Sequence, residues 1–173
     1  VSGAPAGHWE EYWTYDILDN ERTETREYGW AGESATWTFA YDANENRTST
    51  TFPEGNIEAS TWDFMDQLGS VTRGAGSVDA SQTSYLYDAN GNIVTDRDEN
   101  NHTTSFVYNA NNQITETINA LGDSSTNTFD VIGRLASRSD FRGNMYNFEY
   151  DLLDRLKSVT DPLGNGNSYS KIL

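Results

Sequence analysis

The chain lacks several features on which whole classes of protein depend. It has no cysteine, which excludes disulfides and cysteine-ligated zinc or iron–sulfur sites. Its only histidines, His8 and His102, lie far apart in the sequence, so a metal site with several histidine ligands is not expected. No apolar run reaches the ~18 residues of a membrane helix, and the N-terminus carries no charged-then-apolar signal, as in a mature product or an excised piece. The sequence predicts no cofactor, no metal and no membrane span.

Positive charge is also scarce. Lys and Arg total 11 against 27 Asp and Glu, which gives 173 residues a formal net charge of −16. A surface that binds nucleic acid needs a basic stripe to displace counterions, so no nucleic-acid partner is expected. Apolar residues make up only 35% of the chain, but aromatic residues reach 13%. Disordered chains are poor in aromatic residues, and the chain is therefore predicted to fold.

An aromatic residue followed by Asp or Asn recurs along the chain, and we call the aromatic residue of each pair the anchor. Four of the six anchor-to-anchor spacings are 21 residues, and the other two are 26 and 25. The anchors are Tyr15, Tyr41, Trp62, Tyr87, Tyr108, Phe129 and Tyr150. Fourteen residues after them stand, in order, Gly29, Gly55, Gly76, Asn101, Gly122, Gly143 and Gly164. A fixed spacing of this kind indicates a repeat protein.

Within a repeat the apolar pattern has a period of two. Tyr146, Phe148 and Tyr150 alternate with polar residues, which is typical of half-buried strands. Each repeat is predicted to contain one strand that ends at the anchor, a short turn, a second strand that begins about six residues after the anchor, and a second turn that holds the glycine. Glycine and asparagine are expected there because tight hairpins need positive φ. Four residues after the anchor, turn-forming residues also recur, with Glu45 as the exception.

The predicted fold class is all-β: tandem antiparallel hairpins with about 14 strands, in a curled sheet or partial spiral shell. One array is expected over residues 1–173, with flanks at 1–12 and 166–173. The two longer spacings place insertions near residues 30–34 and 75–82, both on the glycine-bearing turn and therefore on one rim of the sheet. Trp30, on the first insertion, is a candidate contact residue for a partner.

The repeat resembles the YD repeat of the Rhs family. The motif is carried best by Tyr150-Asp151, Asp154-Arg155-Leu156 and Asp161-Pro162-Leu163-Gly164-Asn165. The resemblance covers about residues 13–166 and is weakest in the first three repeats. It implies a hairpin array that curls into a hollow shell, which encloses a C-terminal toxin in bacterial Rhs proteins and toxin-complex C components, and forms part of an adhesion ectodomain in teneurins.

These shells use many more than seven repeats, so the resemblance implies a fragment or a compact relative of a large secreted or surface protein. Asp161-Pro162 is the only Asp-Pro pair and falls at an ordinary repeat turn. Neither autoproteolysis nor a toxin is therefore expected within these residues. A sheet of about 14 strands would be about 65 Å wide and has to curl, split or stack. Its end strands are expected to pair with further repeats or with another copy of the chain.

One segment matches a calcium-binding pattern. Asp88, Asn90, Asn92, Asp96 and Glu99 occupy positions 1, 3, 5, 9 and 12 of an EF-hand loop. Position six, which should be glycine, is isoleucine, and no flanking helix is predicted. Because the repeat already explains this triplet as a hairpin turn, the site is only a weak candidate.

No enzyme activity is predicted. Paired carboxylates are abundant, but a glycosidase requires two of them across a cleft, and most of these lie in predicted turns. A catalytic triad could use His8 or His102, yet no Gly-x-Ser-x-Gly elbow occurs. Asn46 and Asn101 begin glycosylation sequons.

Three functional hypotheses remain open. The first is a structural wall or scaffold that encloses or presents a cargo, toxin or partner. The second is an adhesion module that binds glycan or a surface partner through tryptophan-bearing rim loops. The third is the subunit of an extracellular filament joined by unpaired edge strands. All three place the chain outside the cell or at its surface.

Overall fold

Short antiparallel strands joined by tight turns make up the whole fold. The structure is a computed structural model that describes residues 9–28, 33–164 and 166–168. These residues contain strands and turns and no helix, and so no helix that could cross a membrane. The strands are β1 Trp9–Tyr15, β2 Glu21–Tyr28, β3 Glu33–Tyr41, β4 Arg47–Thr51, β5 Ile57–Trp62, β6 Leu68–Arg73, β7 Ser81–Tyr87, β8 Ile93–Arg97, β9 Thr103–Tyr108, β10 Ile114–Ile118, β11 Ser124–Phe129, β12 Leu135–Ser139, β13 Met145–Tyr150, β14 Leu156–Thr160 and β15 Gly166–Ser168.

The chain divides into two compact units, residues 1–84 and residues 85–173. Within each unit the hydrogen-bonded order of the strands is their order along the chain, and neighbouring strands are antiparallel. Every odd-numbered strand from β1 to β13 ends at an anchor, and the next strand begins six residues later. The all-β class and the tandem hairpins predicted from the sequence are confirmed.

The length of the regular repeat follows from the geometry of its strands and turns. After Tyr108, for example, come the five-residue turn 109–113, the five-residue strand β10, the five-residue turn 119–123 and the six-residue strand β11. The total is odd because a β-bulge adds one residue near the anchor. Tyr108 faces Ile114 and Val107 faces Glu116, so Thr115 is the extra residue. The same shift occurs beside Tyr15, Tyr41, Trp62, Phe129 and Tyr150.

The strands extend further than the sequence indicated. Glu33 and Ser34, assigned to the first insertion, belong to β3, and the extra residues lengthen β2 and β3 to eight and nine residues. The second insertion is a loop at residues 74–80, and Ser81 and Gln82 belong to β7. The flanks also contribute strands: β1 begins at Trp9, and β15 is a fifteenth strand paired with β14.

Neither unit has a conventional core in the part that the structure describes. Phe39, at 6% exposure, is the only buried hydrophobic residue there, and no side chain is completely buried. The packing contacts of the described strands join sequence neighbours, so each unit is a sheet one layer thick. A one-layer sheet leaves both faces in contact with whatever surrounds it, and this makes the faces and edges the places to look for function.

Candidate functional surface

The two faces of the sheet differ in chemistry because successive side chains of a strand point to opposite sides. One face, the aromatic face, carries the anchors and the aromatic residues two or four positions before them; most are half-buried. The other face, the hydroxyl face, carries rows of Thr and Ser. In the first unit Thr14 and Thr23 hydrogen-bond at 2.7 Å, and in the second Thr128 and Ser137 do so at 2.7 Å. The residues of the aromatic face are Trp13, Tyr15, Trp37, Phe39, Tyr41 and Trp62 in the first unit, and Tyr85, Tyr87, Phe106, Tyr108, Phe129, Tyr146, Phe148 and Tyr150 in the second.

The Asp or Asn after each anchor closes the turn. In the turn 88–92, Oδ1 of Asp88 accepts the backbone N–H groups of Asn90 and Asn92, both at 2.9 Å. Oδ2 of Asp88 accepts the side-chain amide of Asn92 at 2.9 Å. The turn is a three-residue hairpin loop whose last residue is left-handed, with Gly91 at φ 85°. This arrangement explains why an acidic or amide side chain follows every anchor.

The same hydrogen bonds set the charge state of the turn. The side-chain amide of Asn92, together with the backbone N–H groups of Asn92, Asn90 and Gly91, holds the pKa of Asp88 below its ordinary value of 3.8. The backbone N–H and then the guanidinium of Arg134 lower the pKa of Asp130. Hydrogen bonds to a carboxylate favour its ionised form, so these turns are built around charged Asp.

A second set of hydrogen bonds ties one anchor turn to the next. The side chain five residues after an anchor reaches the residue four after the following anchor, and we call this contact the staple. In the first unit the amide of Asn46 donates to Oδ1 of Asp66 at 2.7 Å. In the second unit Asn92 donates to Oδ1 of Asn112 at 2.9 Å, and Gln113 to the carbonyl of Gly133 at 2.7 Å.

The staple at Arg134 is the most elaborate. Its Nε donates to Oδ2 of Asp130 at 2.7 Å, and its Nη1 donates to Oδ1 of Asp154 at 2.6 Å. The guanidinium also lies 4.6 Å from the centre of the Tyr150 ring. Two carboxylates and one aromatic ring therefore hold this cation on three sides.

Three anchors donate a side-chain hydrogen bond to the preceding repeat. The hydroxyl of Tyr108 donates to the carbonyl of Ile93 at 2.8 Å, and that of Tyr150 to the carbonyl of Leu135 at 3.0 Å. The indole N–H of Trp62 donates in the same way to the carbonyl of Arg47 at 3.0 Å. Each acceptor is the residue six after the previous anchor. Burial, and then the Asp88 carboxylate, raise the pKa of Tyr108 above its ordinary value of 10.0, which keeps the donor protonated.

The second turn of the repeat uses the same closure as the first. Asp98, Asn119, Asp140 and Asp161 start these turns, and their Oδ1 atoms accept backbone N–H groups two residues on at 2.8–2.9 Å. Gly55, Gly76, Gly122, Gly143 and Gly164 have φ values of 80–86°, and Asn101 has 65°. Gly29 and Trp30 lie outside the described residues.

The structure does not assemble the calcium pattern. Asp88, Asn90 and Asn92 share one turn and bond to each other, whereas Glu99 lies in the turn at the far end of β8 and Asp96 lies within that strand. Among the described residues, no group of three or more His, Asp or Glu side chains is placed to hold a metal ion.

Of the two candidate catalytic histidines, the structure describes one. His102 lies in the turn 98–102, where its Nδ1 is 3.2 Å from Oδ2 of Asp98, and His8 is outside the described residues. Of the sequon residues, Asn46 uses its amide in the staple, whereas Asn101 is exposed.

The sequence motif contains two functional positions whose roles it does not reveal. The Arg, Asn or Gln five residues after the anchor forms the staple, and the Asp or Asn eleven residues after it closes the second turn. Their recurrence at fixed offsets was the available signal. The two ends of a staple belong to different repeats, so the contact itself could not be read from one repeat.

The turn tips of the anchor edge carry exposed apolar side chains. In the second unit, Val131 and Leu152 are fully exposed, and Ile132 and Leu153 are 64% and 70% exposed. In the first unit, Ile17 and Phe64 are 99% and 89% exposed. Tips of this kind occur at two successive repeats only in the second unit, at 131–132 and 152–153, and they leave an exposed apolar patch on that part of the anchor edge.

Comparison with solved structures finds the same fold in much longer chains. The TcdB2–TccC3 complex with Cdc42 matches with a TM-score of 0.69 at 15% identity, over 86% of this chain and 9% of that one. TcdB2–TccC3 alone and the Tc holotoxin pore of Photorhabdus luminescens match with TM-scores of 0.67, also at 15% identity and over the same shares of the two chains. This chain thus spans less than a tenth of those proteins. Comparison with curated proteins finds no match.

A family model identifies the repeat directly. The model described as Teneurin YD-shell matches residues 11–165. That range includes all seven anchors, the staples and both kinds of turn. The chain therefore belongs to the teneurin YD-shell family.

Proposed function

We propose that this chain is a non-catalytic segment of a shell wall. It would belong to a secreted or cell-surface protein and would separate an enclosed cargo or partner from solvent. The observation that carries the proposal is the one-layer sheet of each unit, in which Tyr hydroxyls and staples tie repeats to their neighbours. A wall needs continuity along its length and two different faces, and it needs no catalytic cleft.

The edges of such a wall need partners. The exposed turn tips, such as Val131 and Leu152, give the anchor edge an apolar rim that another row of hairpins could bury. We propose that further YD repeats, or another copy of the chain, cover this rim and pair with the end strands. The similar structures support this view because they are chains more than ten times as long as the part that matches.

An adhesion module remains the second candidate. Trp13, which lies on the aromatic face, is 46% exposed, and an exposed indole can stack on a sugar ring or a partner surface. Loss of glycan or partner binding in Trp13→Ala, without loss of folding, would favour this candidate over the wall.

The wall is tested by asking whether the two faces of the sheet differ in access. The sequence has no cysteine, so single cysteines can be introduced in the intact protein at Arg138 on the aromatic face and Asn147 on the hydroxyl face. Both residues are exposed, on adjacent strands, and their side chains point to opposite faces.

A wall predicts that a small maleimide labels both positions, whereas a maleimide on a large polymer labels only one. Unfolding the protein should then restore polymer labelling at the protected position, which serves as the control. Equal labelling of Arg138→Cys and Asn147→Cys by the polymer in the folded protein would refute an enclosing wall.

A further inference from the structure

The first unit contains a concavity that the regular repeat does not produce. It has a volume of about 670 Å³ and lies between the turn 52–56 and the loop 74–80, at the edge that carries the glycine turns. That volume falls within the usual range of ligand pockets, roughly 300–1,000 Å³. Two departures from the repeat create it. Phe52 stands where the four repeats of the second unit have the turn-closing Asp or Asn, and the loop 74–80 replaces the five-residue turn.

The loop is fixed against the neighbouring strand. The backbone N–H of Ala75 donates to the carbonyl of Ile57 at 2.9 Å, and that of Ser77 to the carbonyl of Gly74 at 3.0 Å. Gly74 has a φ of 66°, and a Cβ there would lie 3.1 Å from the hydroxyl of Ser77. The wall of the concavity is therefore formed before any ligand arrives.

The lining of the concavity is acidic. Glu54, Glu58 and Asp79 line it together with Arg73 and Phe52. Arg73 and Glu58 pair across β5 and β6 at 3.5 Å. The carboxylates of Glu54 and Asp79 have no ion-pair partner in the part of the chain that the structure describes. With three carboxylates and one guanidinium, the lining has a net charge of −2. This charge disfavours an anionic ligand, and a neutral sugar would leave two of the carboxylates uncompensated.

The chain itself shows what two carboxylates and an aromatic ring can hold. Arg134 lies between the carboxylates of Asp130 and Asp154 and over the ring of Tyr150. The lining of the concavity contains the same three components, in Glu54, Asp79 and Phe52, beside the Arg73–Glu58 pair. A planar guanidinium can donate to two carboxylates at once and stack on a ring, which an ammonium does less well.

We propose that this concavity binds the guanidinium of an arginine side chain presented by a basic peptide segment. The site does not depend on the wall function, because binding of the segment requires only the concavity of the first unit.

The test is a titration of the ¹⁵N-labelled chain with the probe peptide acetyl-Gly-Arg-Gly-amide, followed by amide chemical shifts. Saturable shifts are expected at Glu54, Ser77 and Asp79. Acetyl-Gly-Lys-Gly-amide should bind about threefold more weakly or worse, and acetyl-Gly-Gln-Gly-amide should give no saturable shifts. The double variant Glu54→Gln/Asp79→Asn should weaken binding of the arginine peptide about tenfold, equivalent to about 1.4 kcal/mol.

The matched control is Glu33→Gln/Glu45→Gln, which removes the same charge at two exposed positions of the same unit away from the concavity. It should bind the arginine peptide as the unmodified chain does, within about twofold. Phe52→Leu keeps an apolar side chain but removes the ring, and it should weaken the arginine peptide more than the lysine peptide. The proposal is wrong if the shifts spread over acidic residues outside the concavity, if the control weakens binding as much as the site variant, or if lysine binds as well as arginine.

Discussion

At the scale of single residues, a hydrogen bond can recur from one repeat to the next even where the residue that donates it changes. Phe129 has no hydroxyl to offer the carbonyl of Ile114, yet that carbonyl accepts a hydrogen bond at 3.0 Å from the side-chain amide of Asn127, which lies two residues before the anchor. Glu45 shows the opposite case. It adopts a φ of 68° although its side chain has no preference for that conformation, because the closed turn imposes it.

Phe129 stands where the neighbouring repeats have Tyr, and this allows a test in which one substitution rescues another. Asn127→Ala should destabilise the protein by about 1 kcal/mol, since it leaves the half-buried carbonyl of Ile114 without its donor. Adding Phe129→Tyr should restore much of the loss, because Tyr108 and Tyr150 supply the equivalent hydroxyl in their repeats. Urea unfolding of the two single variants and the double variant measures the coupling.

Phe129→Tyr alone is the control and should change the free energy of unfolding by only a few tenths of a kcal/mol, because the carbonyl already has a donor. If the effects of Asn127→Ala and Phe129→Tyr on the free energy of unfolding are strictly additive, the two side chains do not share the role of donor to the carbonyl of Ile114.

At the scale of the element, the turns and the strands were not equally predictable. The anchors and the positions six residues later fixed the strand ends, because aromatic alternation and turn residues are local signals. The long hairpin of β2 and β3 was not predicted, since a longer spacing between anchors does not tell whether the extra residues form a loop or extend two strands. The bulge was missed for a related reason: it appears in the sequence only as the odd length of the repeat.

The candidate surface was less predictable than the fold. The position of the staple was present in the motif, but its acceptor belongs to the next repeat, and the acceptor differs from one repeat to the next: a carboxylate at Asp66, an amide at Asn112 and a backbone carbonyl at Gly133. The concavity could not be predicted, because it depends on how one irregular loop packs beside Phe52.

Because Asp closes many of these turns, we expect the free energy of unfolding to fall at acid pH, and we call this part of the pH profile the acid limb. The pKa values of Asp88, Asp98 and Asp140 all lie below the ordinary 3.8, through hydrogen bonds that their carboxylates accept. Their contribution to stability is therefore complete above pH 3.8 and is lost as the pH falls through their lower folded values. The urea midpoint should be flat from pH 7 to about pH 4.5 and should fall below pH 4.

The matched variant is Asp88→Asn/Asp98→Asn/Asp140→Asn. Asparagine closes two turns of this chain at Asn109 and Asn119, so the variant keeps the Oδ1 acceptor for the backbone N–H groups and removes the titration. It also replaces the Oδ2 acceptor with an amide donor, so its stability is compared with its own value at pH 7. Its acid limb should be shallower than that of the unmodified protein. Identical acid limbs in the two proteins would show that other carboxylates cause the loss.

At the scale of the whole molecule, the repeat is the unit of stability as well as of sequence. The described strands contact only their neighbours in sequence, and side chains link repeats to their neighbours. Stability should therefore be close to a sum over repeats and their interfaces, and the register, rather than a common core, should decide whether a change in length is tolerated.

Two deletions within the second unit separate these factors. Removing residues 104–124 takes out one full repeat and joins Thr103 to Ser125, which leaves a six-residue strand that still ends at Phe129. This variant should fold, unfold cooperatively and lose about 1–3 kcal/mol, in proportion to its length. Removing residues 105–124 instead takes out one residue fewer and leaves that strand one residue longer.

In the second variant the side chains on either side of the junction alternate out of step, so the aromatic residues of one part face the hydroxyls of the other. It should lose far more stability than the first and aggregate or unfold without cooperativity, although it retains one more native residue. Circular dichroism and urea unfolding of the two proteins side by side measure the difference. Equal stability would mean that the turns absorb the extra residue and that the register of the repeat does not govern the fold.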